Sequence, residues 1–359
     1  MSYNRRNFIK ASAVAGIGLG VSGSITPLFG KGSGQAAGKR VGIIGLDTSH
    51  CVAFTKEMNA ADESPKLGGY KVVAAYPKGS LDIASSVNRI PGYTEEVKKM
   101  GVEIVDSIPS LLEKADVVLL ETNDGRRHLE QAIPVLKAGK PMFIDKPIAA
   151  SLSDAIVIAE AATYYKTPLF SSSSLRFMPS VQDVVNGKIG KVSGADVYSP
   201  FILENTHPDF FWYGIHGVEM LYAIMGPGCK TLTRFHTAGS EVVVGIWNDG
   251  RIGTLRCNRP QKNIYGTPDG AFGGTAYGEK GDVVLGPFSG YNPLLNGIIN
   301  FFQTTIPPVD KDVTLEICAF MEAADESKRR NGAPVALEEL WLKARKEAEK
   351  KFAKVKGGE

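Results

Sequence analysis

Apolar residues in this chain fall in short blocks, separated by runs with helical spacing. Arg40-Val41-Gly42-Ile43-Ile44-Gly45 is an apolar strand ending in a glycine turn, and a helix-like run follows from Ser49 through Val52, Phe54 and Met58. Residues 70–76, 102–105 and 115–121 are further short strands, with helical stretches at 108–114 and 127–138. The run from Gly139 to Pro147 reads as a buried strand stopped by a proline, which has a fixed φ and no N–H to give. Strands alternating with helices predict a parallel, doubly wound sheet, hence an α/β fold. Such sheets bind ligands at the carboxyl ends of their strands, where Lys146 falls.

The second half reads differently. Residues 229–237, 241–248 and 251–258 are strand-like, Asn248-Asp249-Gly250 is a hairpin signal, and 275–278 and 283–286 continue the sheet. Residues 211–221 form an apolar, helix-like run containing His216. The Gly-rich residues 265–274 suggest a mobile loop near a substrate. Residues 337–352 predict an amphipathic helix docked on its own domain, with Glu339–Lys343 and Glu347–Lys351 as pairs along its outer side.

The N-terminus stands apart. Asn4-Arg5-Arg6-Asn7-Phe8-Ile9-Lys10 is a twin-arginine pattern, followed by a small, apolar run to Val21 and a small-residue cleavage site at Ala36-Ala37. Residues 1–37 therefore read as an export signal directing the protein to the periplasm. The chain carries +3, and removing Arg5, Arg6, Lys10 and Lys31 with this acid-free segment leaves −1. That balance gives no electrostatic case for nucleic acid. No apolar run beyond the signal is long enough to span a membrane. Cys51, Cys229, Cys257 and Cys318 form no Cys-x-x-Cys pair and read as buried thiols.

Several motifs in order resemble one family, that of glucose–fructose oxidoreductase, inositol dehydrogenase and MocA. They are Asp145-Lys146-Pro147 for its Glu-Lys-Pro, Thr122-Asn123 with His128 for its Thr-Pro and following His, Arg176-Phe177-Met178-Pro179, and Gly214-Ile215-His216. The resemblance runs from about residue 40 to 337. It implies a Rossmann domain at 38–170, an α+β substrate and oligomerisation domain at 171–337 with a large, open, mostly antiparallel sheet, and a C-terminal helix at 338–359. It also implies NAD or NADP as cofactor and a homodimer or homotetramer built on the uncovered sheet face.

The chain departs from the usual G-x-G-x-x-G phosphate loop. Its register gives Gly45-Leu46-Asp47-Thr48-Ser49-His50, so Asp47 replaces the second glycine and places a carboxylate near a phosphate. Ser49 and His50 open a helix that can still hold an anion. After the second strand, Lys78 and Ser80 stand where an acidic residue usually takes the adenosine ribose. They would suit a 2′-phosphate and NADP, or form an ordinary surface turn. The resemblance adds Thr122, Asn123, His128, Asp145 and Lys146 to the cofactor set, with Asp145 near the nicotinamide ribose.

Lys146 carries the proposed acid/base role, because oxidising an alcohol needs a base to take the hydroxyl proton. His216 assists as donor or proton relay, although the family's Asp one helical turn earlier is Trp212 here. Arg176, His207, Asp209, Trp212 and His216 form the expected substrate set beside Phe210, Phe211 and Tyr213, with rings to stack on a sugar and polar groups to hold its hydroxyls; Arg176 could equally make a structural salt bridge. The group Glu204, His207, Asp209 and His216 matches no metal motif, so no metal is expected. Three readings stay open. The first is an exported NAD(P)-dependent oxidoreductase acting on a sugar, sugar derivative or polyol. The second is a glycoside lyase or hydrolase with a retained, internally recycled nucleotide. The third is a non-catalytic sugar-binding protein with a degenerate nucleotide site.

Overall fold

The computed structural model describes residues 39–62, 64, 66–258 and 272–357. The export signal and most of the 265–274 loop lie outside them. Six strands, β1 (Arg40–Ile44), β2 (Lys71–Tyr76), β3 (Glu103–Ile104), β4 (Val117–Leu120), β5 (Met142–Ile144) and β6 (Leu169–Ser171), form one sheet in the order β3-β2-β1-β4-β5-β6. Every pairing in it is parallel. The central strands β1, β4 and β5 are almost wholly apolar because both faces are covered. Ile44, Val118, Leu120 and Ile144 feed one core, while Ile43, Val117, Leu119 and Phe143 feed the other, the alternation a strand imposes. Helices α1 (Ser49–Asn59), α2 (Ala84–Val87), α3 (Ile90–Lys99), α4 (Ile108–Lys114), α5 (His128–Lys137) and α6 (Leu152–Tyr165) connect the strands.

After α7 (Pro179–Val185), a second sheet holds β7 (Val192–Pro200), β8 (Cys229–His236), β9 (Ser240–Trp247), β10 (Ile252–Asn258), β11 (Gly273–Gly278), β12 (Gly281–Leu285) and β13 (Val335–Ala336), in the order β12-β11-β7-β10-β9-β8-β13. Only β7 and β10 (Ile252–Asn258) pair in parallel, so the sheet is mixed and mostly antiparallel. Helix α8 (Ile215–Met225) packs on one face of it. A Cβ on Gly217 would lie 2.5 Å from Leu255 and 2.6 Å from the Ser199 hydroxyl, so glycine there permits the close approach. The opposite face leaves Tyr198, Ile246 and Ile252 exposed.

Two local expectations differ from the fold. The apolar run at 211–221 is not one helix: a 3₁₀ turn covers Asp209–Phe211, the chain breaks at Trp212, and α8 begins at Ile215. Trp212 therefore does not sit one turn before His216 on a shared helix. The C-terminal helix α11 (Leu337–Gly357) packs along α6 of the first domain as well as α10 (Lys311–Arg329) of the second. Its charged residues reach across those seams: Glu339 pairs with Arg330, and Lys351 with Asp154 at 2.7 Å. Among the described residues no helix is long and apolar enough to cross a membrane.

Candidate active site

The strand ends of the parallel sheet meet the second domain at a cavity of about 790 Å³. Its nucleotide-side wall includes Thr48, Ser49, His50, Arg89 and Asn123. Gly45 makes the turn with φ +88°, and a Cβ there would stand 2.4 Å from the Thr122 hydroxyl. Thr48 caps α1, its hydroxyl accepting from the His50 N–H at 2.9 Å. Asp47 does not face the cavity. Its carboxylate turns inward and accepts from the N–H and hydroxyl of Ser80 at 2.7 and 2.6 Å and from the Asn123 N–H at 2.9 Å. It thereby ties the loops after β1, β2 and β4 together, although burial still raises its pKa. A helix N-terminus with Ser49, Asn123 and a guanidinium on the same wall fits the pyrophosphate of a dinucleotide.

Two acids end adjacent strands beneath this wall. The Glu121 N–H donates to the Ile44 carbonyl and the Asp145 N–H to the Leu120 carbonyl, so the ladder itself sets the carboxyl groups side by side. Both are fully buried. His50 Nδ1 lies 3.1 Å from Asp145 Oδ1 and 3.7 Å from Glu121 Oε2. Burial and then the neighbouring Asp145 push the Glu121 carboxyl well above the usual carboxylate range. Burial works against Asp145 too, but His50 and Lys146 hold its pKa low. Lys146 follows at the end of β5, with 9% of its surface exposed on the cavity wall.

The second domain supplies the facing wall, with Trp212, Tyr213, His216, Phe272, Phe288 and Tyr291. Ser173 Oγ fixes the His216 ring through Nδ1 at 2.8 Å. Burial, and next the Lys146 charge, drive the His216 pKa well below its ordinary value, so this imidazole is neutral. Tyr213 packs edge-on against His216 at 4.8 Å, and burial pushes its hydroxyl up to about 12. It therefore stays a hydroxyl and a hydrogen-bond donor.

The expected residues divide into two groups. Lys146, His216, Trp212, Ser49, His50 and Asn123 share the cavity. The others do not line it. Ser80 is held by Asp47, and Lys78 is exposed with its carbonyl bound by Gln131. Thr122 packs behind Gly45, and His128 clamps the Thr122 and Ile148 carbonyls at 2.6 and 3.2 Å. Arg176 pairs with the buried Glu219 at 2.5 Å. Asp209 is taken by Arg234 and Lys328 at 2.6 and 2.7 Å. His207 lies 3.1 Å from Asp124 with its side chain fully buried, and its ring supports Trp212 at 5.1 Å. Tyr213, expected beside the substrate, lines the cavity, while Arg89, Glu121, Ser173 and Tyr291 were not singled out for the site by sequence. Only Glu121, an acid closing an apolar strand, carried a signal there, since an acid in that place must find a partner or a ligand.

Residues 39–172 match the GFO_IDH_MocA model, described as an oxidoreductase family with an NAD-binding Rossmann fold. No curated protein matches the chain. Among solved structures, a probable dehydrogenase from Thermotoga maritima is similar at 19% identity and TM-score 0.66, over 84% of this chain and 99% of that one. A scyllo-inositol dehydrogenase from Lactobacillus casei, solved with NAD(H) and scyllo-inositol, is similar at 16% identity and TM-score 0.64, over 83% and 99%. The myo-inositol dehydrogenase of the same organism, with NAD(H) and myo-inositol, stands at 15% and 0.64, over 83% and 96%. Identities this low speak for the shared fold alone. Residues 39–172 thus form a six-stranded parallel, NAD-binding Rossmann fold similar to the GFO_IDH_MocA oxidoreductase family.

Proposed function

We propose that this protein is an NAD(P)-dependent oxidoreductase acting on a CH–OH group of a sugar, sugar derivative or polyol, with Lys146 as acid/base. The observation that carries the reading is the placement of Lys146 and His216 on one cavity, between an anion-complementary helix N-terminus and a wall of aromatic rings. The nicotinamide, when bound, supplies the hydride acceptor or donor. Lys146 exchanges the proton of the reacting hydroxyl at Nζ. The neutral His216 hydrogen-bonds the same or a neighbouring hydroxyl, held in place by Ser173. Trp212, Tyr213 and Phe272 cover the apolar face of the substrate and exclude water. The inositol ligands of the two L. casei enzymes support a polyhydroxylated ring as substrate class. The twin-arginine pattern supports export, and the exposed Tyr198, Ile246 and Ile252 support a homo-oligomer through the open sheet face.

The test is nucleotide content. Protein purified without added nucleotide is denatured, and the released small molecules are identified by absorbance and mass. Stoichiometric NAD(H) or NADP(H), or tight uptake of either when added, is expected. A protein that neither releases nor binds one contradicts the reading. Fractionation of the producing cells tests export, and light scattering tests assembly.

A further inference from the structure

We propose that His50, Glu121 and Asp145 form a binding site for a divalent first-row cation. One ligand atom from each of the three lies within 4.8 Å of the others, and all three residues are buried. The stronger observation is what these atoms lack. Both Glu121 carboxylate oxygens and Asp145 Oδ2 have no hydrogen-bond partner, His50 Nδ1 meets only Asp145 Oδ1 at 3.1 Å, and the Glu121 and Asp145 side chains are fully shielded from solvent. Buried polar atoms are almost always satisfied, so three unpaired carboxylate oxygens beside an imidazole point to a ligand. Asp145 Oδ1 is already committed to the Lys146 N–H at 2.8 Å, leaving Oδ2 for the ion.

A proton on Glu121 is the simpler remedy, and it is insufficient. It would cancel the charge, yet its one O–H can serve a single acceptor, so at least one buried oxygen of Glu121 would still stay unpaired. A cation engages them together. One imidazole and two carboxylates suit Mn²⁺ or Zn²⁺ better than Ca²⁺, which takes oxygen ligands. His50 lines the large cavity, which gives the ion a route in. The site shares His50 with the nucleotide-side wall of that cavity, so its test reads ion uptake directly and does not depend on turnover.

The full chain is stripped with a chelator and titrated with Mn²⁺, following the signal of the free ion by electron paramagnetic resonance, with Zn²⁺ as competitor. One Mn²⁺ per chain is expected. Glu121→Gln and Asp145→Asn, each checked for native circular dichroism, should weaken binding at least about tenfold. Mn²⁺ should also raise the melting temperature of the wild type and not that of Glu121→Gln. Absence of uptake by the wild type at millimolar Mn²⁺ or Zn²⁺ overturns the proposal. Uptake that both variants retain at wild-type strength places the ion elsewhere and overturns it equally.

Discussion

The Asp47 carboxylate receives both the N–H and the hydroxyl of Ser80, at 2.7 and 2.6 Å, where a dinucleotide loop ordinarily has a glycine. A residue that reads as a loss of nucleotide chemistry is instead a brace between three strand-end loops. Asp47→Ala strands the N–H groups of Ser80 and Asn123, and should lower unfolding stability by about 3 kcal/mol. Urea unfolding checks this. Unchanged stability with weakened nucleotide binding would mean that Asp47 serves the ligand instead.

Arg176 makes the salt bridge that the sequence left open beside substrate binding. Its guanidinium pairs with Glu219, whose other partner is the Ser172 hydroxyl at 2.7 Å. Arg176→Met leaves a buried carboxylate short of its cation and should cost about 3 kcal/mol of stability. A substrate-holding arginine would show the opposite pattern in thermal melts and steady-state kinetics, with a raised KM and an unchanged melting temperature.

Asp325 sets a pH dependence. Burial raises its pKa to about 7 despite the Arg234 guanidinium at 2.7 Å. The folded value lies above the unfolded one, so the contribution is fully present below about pH 4 and is lost as pH rises through about 7. Asp325→Asn keeps an acceptor for Arg234 and removes the titration. The difference in urea midpoint between variant and wild type should therefore move in the variant's favour from pH 5 to pH 8. A constant difference would count against this assignment.

Trp212 offers its ring to the cavity with His207 behind it. Trp212→Leu should raise KM for a polyol roughly 3- to 10-fold with little change in kcat. A fall in kcat at constant KM would place the ring in the chemistry rather than in binding.

The first domain was legible because its signals are local. Strands β1 and β4 are short apolar blocks, α1 opens on Thr48 and Ser49, and Lys146 ends a strand at a proline. The hairpin turn after Trp247 was equally plain from Asn248-Asp249-Gly250. What escaped the sequence depends on distant partners. Asp47 meets Ser80 and Asn123 across loops, His207 meets Asp124 across domains, and Arg234 draws Asp209 out of the substrate set. The break at Trp212 was hidden because Phe210, Phe211 and Tyr213 around it are all aromatic, which blurs the helical period that would mark a boundary. Arg89 and Tyr291 reach the cavity from elements with no motif of their own.

The most direct test of the proposed chemistry is hydride transfer by wild type and Lys146→Met, each loaded with NAD⁺ or NADP⁺ and given a panel of inositols, sugars and other polyols, with absorbance at the reduced nicotinamide band followed over time. The wild type should reduce its nucleotide with at least one of them. Lys146→Met should do so slower by about a hundredfold or more while binding nucleotide and polyol as before. A Lys146→Met variant that turns over at the wild-type rate, or a wild type that binds nucleotide and reduces it with none of the panel, would contradict the assignment.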